Sequence, residues 1–183
     1  MTQRIIALTG VSGVGKSTLV EELQRVHRIQ ALCASDILAA DGRQTSLLPH
    51  GARGRALGAN TISINQEHLI AGFHDKRDPR APCVVLDCHV LIDAPTGYVG
   101  IDASVFFKLG ITHIVMLVDD PEQITARRKL DGNRQRLRRT PQEISKYQDE
   151  SLLQGARIAL KLEIPLVVLP VARAHELAWY FPR

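Results

Sequence analysis

Eight residues near the amino terminus, Gly10, Val11, Ser12, Gly13, Val14, Gly15, Lys16 and Ser17, follow the pattern G-x-x-x-x-G-K-[ST] directly after the apolar run Ile5 to Leu8. A polyphosphate is held chiefly by backbone N–H groups, and glycines let the chain curl tightly enough to aim several of them at one anion. Lys16 adds a mobile positive charge for the β- and γ-phosphates, and the Ser17 hydroxyl is a ligand for Mg²⁺. Gly10, Ser12, Gly13, Val14, Gly15, Lys16 and Ser17 are therefore expected to bind ATP. The alternative is a chance match, and the position between a strand and a helix argues against it.

Asp87 follows Val84, Val85 and Leu86. An acidic residue at the end of a buried strand in a phosphate-loop protein commonly holds Mg²⁺, directly or through water, which makes Ser17 and Asp87 the expected metal pair. The competing reading is a capping or turn carboxylate. Two readings also stand for His89, a catalytic group or a packed, hydrogen-bonded one. A third group is Arg127, Arg128, Asp131, Arg134, Arg136, Arg138 and Arg139. Phosphoryl transfer spreads negative charge over equatorial oxygens, and guanidinium groups on a closing segment stabilise it while excluding water. Asp131, Gly132 and Asn133 would turn that segment in its middle. A solvated face, or a contact to a nucleic-acid backbone, is the alternative.

These residues need a scaffold. Apolar runs without polar alternation occur at Ile5 to Leu8, Gln30 to Ala34, Cys83 to Leu86, His113 to Val118 and Leu166 to Leu169, as in strands buried on both faces. Helical stretches lie between them, at Lys16 to Arg28, Ile64 to His74, Asp102 to Leu109, Pro121 to Leu130 and Pro141 to Leu162. The alternation predicts an α/β fold with a parallel sheet covered on both sides. Asp120 before Pro121 is an N-cap signal, and Thr140 to Glu143 is a T-x-x-E capping box. Asp119 and Asp120 would otherwise be candidate catalytic carboxylates. Ligands of such sheets bind beyond the carboxyl ends of the strands, where the phosphate loop, Ser35 with Asp36, and Asp87 with His89 all fall. The irregular, glycine- and arginine-rich stretch from Asp41 to Asn60 reads as a mobile substrate-binding segment.

Composition narrows the function classes. The 183 residues suit one domain, and with 45% hydrophobic but only 4% aromatic residues the core must be built from Leu, Ile, Val and Ala. Base-stacking platforms of the single-strand-binding kind need more aromatics. The net charge of +4 is modest and concentrated between Arg127 and Arg139, which favours a local anion site over a nucleic-acid surface. Cys33, Cys83 and Cys88 are odd in number and lack metal or redox spacing, as in a reducing compartment. The phosphate loop arrives within fifteen residues of the first residue and no apolar run approaches 20 residues, so a cytoplasmic protein with neither secretion signal nor membrane span is expected.

The segments VLDCHVLIDAPTGYVGI at Val85 to Ile101 and ARRKLDGNRQR at Ala126 to Arg136 resemble adenylate kinases of the archaeal type. That family has a strand ending in D-T-H, a P-S-G-Y turn and a lid with R-x-x-x-D-x-x-R-x-R. This chain has Asp87, Cys88 and His89, then Pro95, Thr96, Gly97 and Tyr98, then Arg127, Asp131, Arg134 and Arg136. Ser35 and Asp36 stand where the family has G-D, and Arg55, Leu57 and Gln66 fall in the region that receives AMP. The resemblance implies a P-loop three-layer sandwich with a five-stranded parallel sheet of order 2-3-1-4-5. It implies that Thr18 joins the loop residues on ATP, that an acceptor region spans 36–77 with Ser35, Asp36, Arg55, Gln66 and His89 as substrate contacts, and that a lid spans 127–140. Lys16, Asp87, Arg127, Arg134 and Arg136 would form the catalytic set. The implied reaction is ATP plus AMP giving two ADP, with Mg²⁺; the family is often trimeric, so a homo-oligomer is open. This chain departs from the family in its Gly42 to Gly54 stretch and in Cys88, both on the acceptor side. Two rival functions remain: a small-molecule kinase using Asp87 or Asp36 as base toward an alcohol, and a nucleotide-binding regulatory ATPase.

Overall fold

The computed structural model describes residues 3–40, 59–94, 97–130 and 138–182. In chain order the elements are β1 (Arg4–Thr9), α1 (Lys16–Val26), β2 (Gln30–Cys33), α2 (Ala34–Ala40), α3 (Ala59–Lys76), β3 (Cys83–Asp87), β4 (Leu91–Ala94), β5 (Gly97–Gly100), α4 (Ala103–Lys108), β6 (His113–Val118), α5 (Pro121–Leu130), α6 (Pro141–Leu162), β7 (Leu166–Pro170) and a terminal 3₁₀ segment, Val171–Tyr180. The main sheet is five-stranded, ordered β2-β3-β1-β6-β7, with every pairing parallel. Without the β4–β5 hairpin strands this is the expected order 2-3-1-4-5.

The unalternated runs behave as strands sheathed on both faces. Ile6, Ala7 and Leu8 of β1, Cys83 to Leu86 of β3 and Ile114 to Leu117 of β6 are all buried. Each helix covers them with one apolar stripe: Leu19, Val20 and Leu23 on α1, and Ile144, Tyr147, Ser151, Gly155, Ile158 and Ala159 on α6, the spacing of a 3.6-residue period. At Gly155 α6 comes close to the sheet: a Cβ there would stand 2.9 Å from Met116 Cε, the flexible end of that side chain.

Helix starts follow local chemistry. Asp120 Oδ1 accepts from the N–H groups of Glu122 and Gln123 at 2.9 and 3.0 Å, so Asp120 is the cap of α5. Thr140 Oγ1 accepts from Glu143 N at 3.2 Å while Glu143 Oε2 accepts from Thr140 N at 2.8 Å, completing the box that starts α6. Two elements differ from the sequence expectation. Ser35 and Asp36 lie in the first turn of α2, which follows β2 without a connecting turn, and an antiparallel hairpin, β4 with β5, fills what was expected as connection. The hairpin is tied to α6 by Tyr147 Oη donating to Leu91 O at 2.8 Å and by the stacked rings of Tyr98 and Tyr147, 4.8 Å apart. No helix among the described residues is long and apolar enough to cross a membrane.

Candidate active site

The parallel registers bring the carboxyl ends of the central strands to one edge: Leu8 stands beside Asp87, Cys33 also pairs with Asp87, and Thr9 with Met116. From that edge the phosphate loop rises between β1 and α1. Gly10, Gly13 and Gly15 have φ of 135°, 87° and 115°, a region that L side chains rarely adopt, which is why these positions are glycine. Gly15 caps α1 in the left-handed conformation with no side-chain cap and no acidic residue in the first turn. The first N–H groups of α1 therefore receive no side-chain oxygen from the cap, and with the helix dipole they form an anion seat. An added Cβ at Gly15 would meet nothing within 4 Å, so that side of the loop is open, whereas at Gly10 it would stand 2.6 Å from Leu117 O.

Gly10 therefore gives a structural prediction. Gly10→Ala adds a close contact to a backbone that also has to hold a positive φ, a combination worth about 2 kcal/mol or more. The thermal midpoint should fall by about 5 °C or more, with ATP affinity falling too. A midpoint unchanged within a degree by calorimetry would remove the steric account of this loop.

Lys16 is buried, and its Nζ donates to Gly10 O at 3.0 Å, lies 3.5 Å from Val11 O, and approaches Asp87 Oδ1 to 3.8 Å. Ser17 Oγ donates to Asp87 Oδ2 at 3.2 Å, and Thr18 is exposed beside it. Hydroxyl and carboxylate are thus adjacent hard oxygens, a fit for Mg²⁺ with the remaining ligands coming from phosphate and water. Among the described residues no group of three or more His, Cys, Asp or Glu side chains could hold a metal by itself. Bound there, the ion would neutralise charge on the β- and γ-phosphate oxygens.

His89 is exposed, with Nδ1 3.1 Å from Gly10 O, the carbonyl that also accepts from Lys16. It therefore braces the loop. Ser35 and Asp36 are exposed at the crevice end of β2, where Ser35 Oγ lies 3.1 Å from Cys33 Sγ and 3.5 Å from Asp36 Oδ1. Gln66 is half-buried on α3. Burial pushes the Cys88 thiol well above its ordinary range and Cys83 up to about 11, so both behave as small apolar side chains. Arg55, Pro95, Thr96, Asp131, Arg134 and Arg136 lie outside the described residues.

The arginine group divides between two anchors. Arg127, on α5, is ion-paired and hydrogen-bonded to Asp119. Arg139 is bound to Asp93 of the hairpin at 2.7 Å and to Glu143 at 3.1 Å. Burial holds the Arg128 guanidinium below its ordinary pKa, opposed by the nearby Asp93 carboxylate. Sequence reasoning missed both carboxylate partners. The sequence offers Asp119 and Asp120 as catalytic carboxylates, with capping the other reading for Asp120, and the structure separates them: Asp120 caps and Asp119 pairs. Asp93 had no signal at all, since its partner is 46 residues away.

A parallel sheet with a glycine-rich phosphate loop after its first strand, a lysine and serine leading the next helix, and an acidic residue ending the adjacent strand define a P-loop nucleotide-binding domain. The chain matches the AAA domain family over residues 9–145 and belongs to it. By sequence it is similar to the adenylate kinase of Pyrococcus abyssi, 28% identical over 175 residues that cover 94% of this chain and 87% of that protein. It is also similar to the adenylate kinase of Pyrococcus horikoshii, 29% identical over 151 residues covering 79% and 74% of the two chains. Among solved structures, a gluconokinase from Sinorhizobium meliloti 1021 superposes with a TM-score of 0.53 at 18% identity, covering 97% of this chain and 89% of that one, a likeness of fold.

Proposed function

We propose that the chain is an ATP-dependent nucleoside monophosphate kinase, and specifically an adenylate kinase converting ATP and AMP to two ADP. The observation that carries this reading is the engagement of Asp87. One of its oxygens takes the Ser17 hydroxyl and the other faces the Lys16 ammonium, which commits it to the phosphate and metal side. It is then no base for an acceptor hydroxyl. A phosphate acceptor needs none, because its attacking oxygen is already ionised at neutral pH. The sequence likeness to adenylate kinases over most of the chain points the same way.

Catalysis on this reading is positional and electrostatic. The loop N–H groups and Lys16 hold the ATP tail, Arg55 and Gln66 receive the AMP side, and Arg127, Arg134 and Arg136 neutralise the charge of the transferring group as water leaves. Residues 36–77 serve as the acceptor region and 127–140 as the lid. A second reading has one observation in its favour: Asp36 is exposed at the crevice end of β2, where a base toward a small alcohol would stand.

The deciding experiment measures ADP formation from ATP and Mg²⁺ against nucleoside monophosphates and small polyols. AMP should be the best acceptor, and Arg55→Ala should weaken AMP by roughly ten- to a hundredfold while leaving ATP within a few-fold, as expected for one lost charge-assisted contact. A polyol preferred over every monophosphate would overturn the adenylate kinase reading in favour of Asp36 chemistry. Slow ATP hydrolysis with no acceptor dependence would identify a regulatory ATPase.

A further inference from the structure

The strand β6 leaves the sheet beside the phosphate loop: Thr9 Oγ1 donates to Val115 O at 3.2 Å, and a Cβ on Gly10 would meet Leu117 O at 2.6 Å. Asp119 is two residues beyond Leu117. Its backbone is clamped on both sides by one amide of α6, since Gln148 Oε1 accepts from Asp119 N at 3.1 Å and Gln148 Nε2 donates to Asp119 O at 2.9 Å. A carboxylate whose backbone is fixed in this way presents its oxygens in a defined direction, and the side chain it meets is Arg127, two turns along α5.

Asp119 is not needed to start α5, because Asp120 already caps that helix. An ion pair that is 39% exposed on the arginine side also adds little to stability. The pairing leaves Arg127 incomplete as well. A guanidinium has five N–H donors, Asp119 takes up only part of them, and the Nε–H of Arg127 is buried with no acceptor. Such an arrangement fixes the plane and position of the cation through Asp119, and the side chain stays 39% exposed.

We infer that Asp119, held by Gln148, is a positioning residue that orients Arg127 toward the phosphoryl group passing between the two substrates. This rests on the kinase reading above and adds a carboxylate–arginine relay to it. The relay acts through Arg127 alone and touches no substrate. Its loss should therefore lower turnover with little change in the KM for ATP, and only while Arg127 is present.

A double-mutant cycle on the full chain tests this, with kcat and KM measured for the unaltered protein, Arg127→Ala, Asp119→Asn and the double variant. Asn keeps the shape and leaves the Gln148 clamp on the backbone intact, so folding, followed by thermal midpoint, should hold. Arg127→Ala should lower kcat by about 10²-fold and Asp119→Asn by about tenfold, with KM for ATP within a few-fold in each. In the Arg127→Ala background, Asp119→Asn should cost no more than about twofold further. Gln148→Leu should behave as a weaker copy of Asp119→Asn. If Arg127→Ala is impaired while Asp119→Asn turns over normally, or if the two losses multiply, the relay is overturned and the kinase reading stands. If the unaltered protein shows no AMP-dependent turnover, the acceptor reading fails separately, and the same cycle read in ATP consumption still supports the relay by coupling or overturns it by independence.

Discussion

Lys16→Met should lower kcat/KM for ATP by about 10³-fold, or about 4 kcal/mol of transition-state stabilisation, while the protein stays folded. The size of the effect follows from where the ammonium sits. Its Nζ rests on the carbonyl of Gly10 and near that of Val11, within 3.8 Å of Asp87, at the mouth of a loop whose other groups are neutral backbone donors. Methionine keeps an unbranched stem of similar volume in a position only 6% exposed, so the apolar packing survives. Asp87 loses one neighbour but keeps Ser17. The midpoint of thermal unfolding should accordingly move by no more than a few degrees, and steady-state kinetics beside calorimetry separates lost chemistry from lost structure. Near-normal phosphoryl transfer by the folded variant would overturn the assignment of ATP to this loop.

The backbone geometry of the phosphate loop was legible in the sequence because it is local. Phosphate binding by backbone needs glycines at fixed offsets, and the left-handed φ of Gly10, Gly13 and Gly15 is the physical content of that spacing. The five sheet strands were legible for a related reason. Burial on both faces removes polar alternation, so Ile5 to Leu8 or His113 to Val118 could be recognised one run at a time. The starts of α5 and α6 were written in Asp120 with Pro121 and in Thr140 with Glu143.

What was not legible depends on contacts distant in sequence or on elements too short to have a period. The helix α2 has seven residues and begins where β2 ends, so no turn residue separates them. Each strand of the β4–β5 hairpin has four residues, too few for a period, and Gly97 and Tyr98, which the sequence offers as part of a family turn motif, open β5. Pairings such as Asp93 with Arg139, or Gln148 with the backbone of Asp119, join groups 46 and 29 residues apart, and no single-chain pattern encodes them. The acceptor half is where the resemblance departs most from the family, in Gly42 to Gly54 and at Cys88. Which acceptor takes the phosphoryl group is therefore decided by substrate experiments more than by pattern.

The remaining large effect separates a transferase from a nucleotide-binding switch. Arg134 and Arg136 are assigned to charge that develops chiefly in the transition state, and interactions of that kind change kcat rather than ground-state affinity. Arg134→Ala should lower turnover by about 10²-fold with ATP affinity within a few-fold. Lysine at the same position should restore little, because an ammonium keeps the formal charge but not the planar two-pronged contact with phosphoryl oxygens. A regulatory protein whose arginines met a nucleic-acid backbone would show the reverse. Lysine would then be tolerated, ATP turnover would scarcely change, and polynucleotide binding would weaken with salt along a shallower slope. Steady-state kinetics on Arg134→Ala and Arg134→Lys, beside a polynucleotide titration at two salt concentrations, decides between them. Unchanged turnover in both variants would remove Arg134 from the lid, and the catalytic charge would then rest on Arg127, oriented by Asp119, and on Arg136.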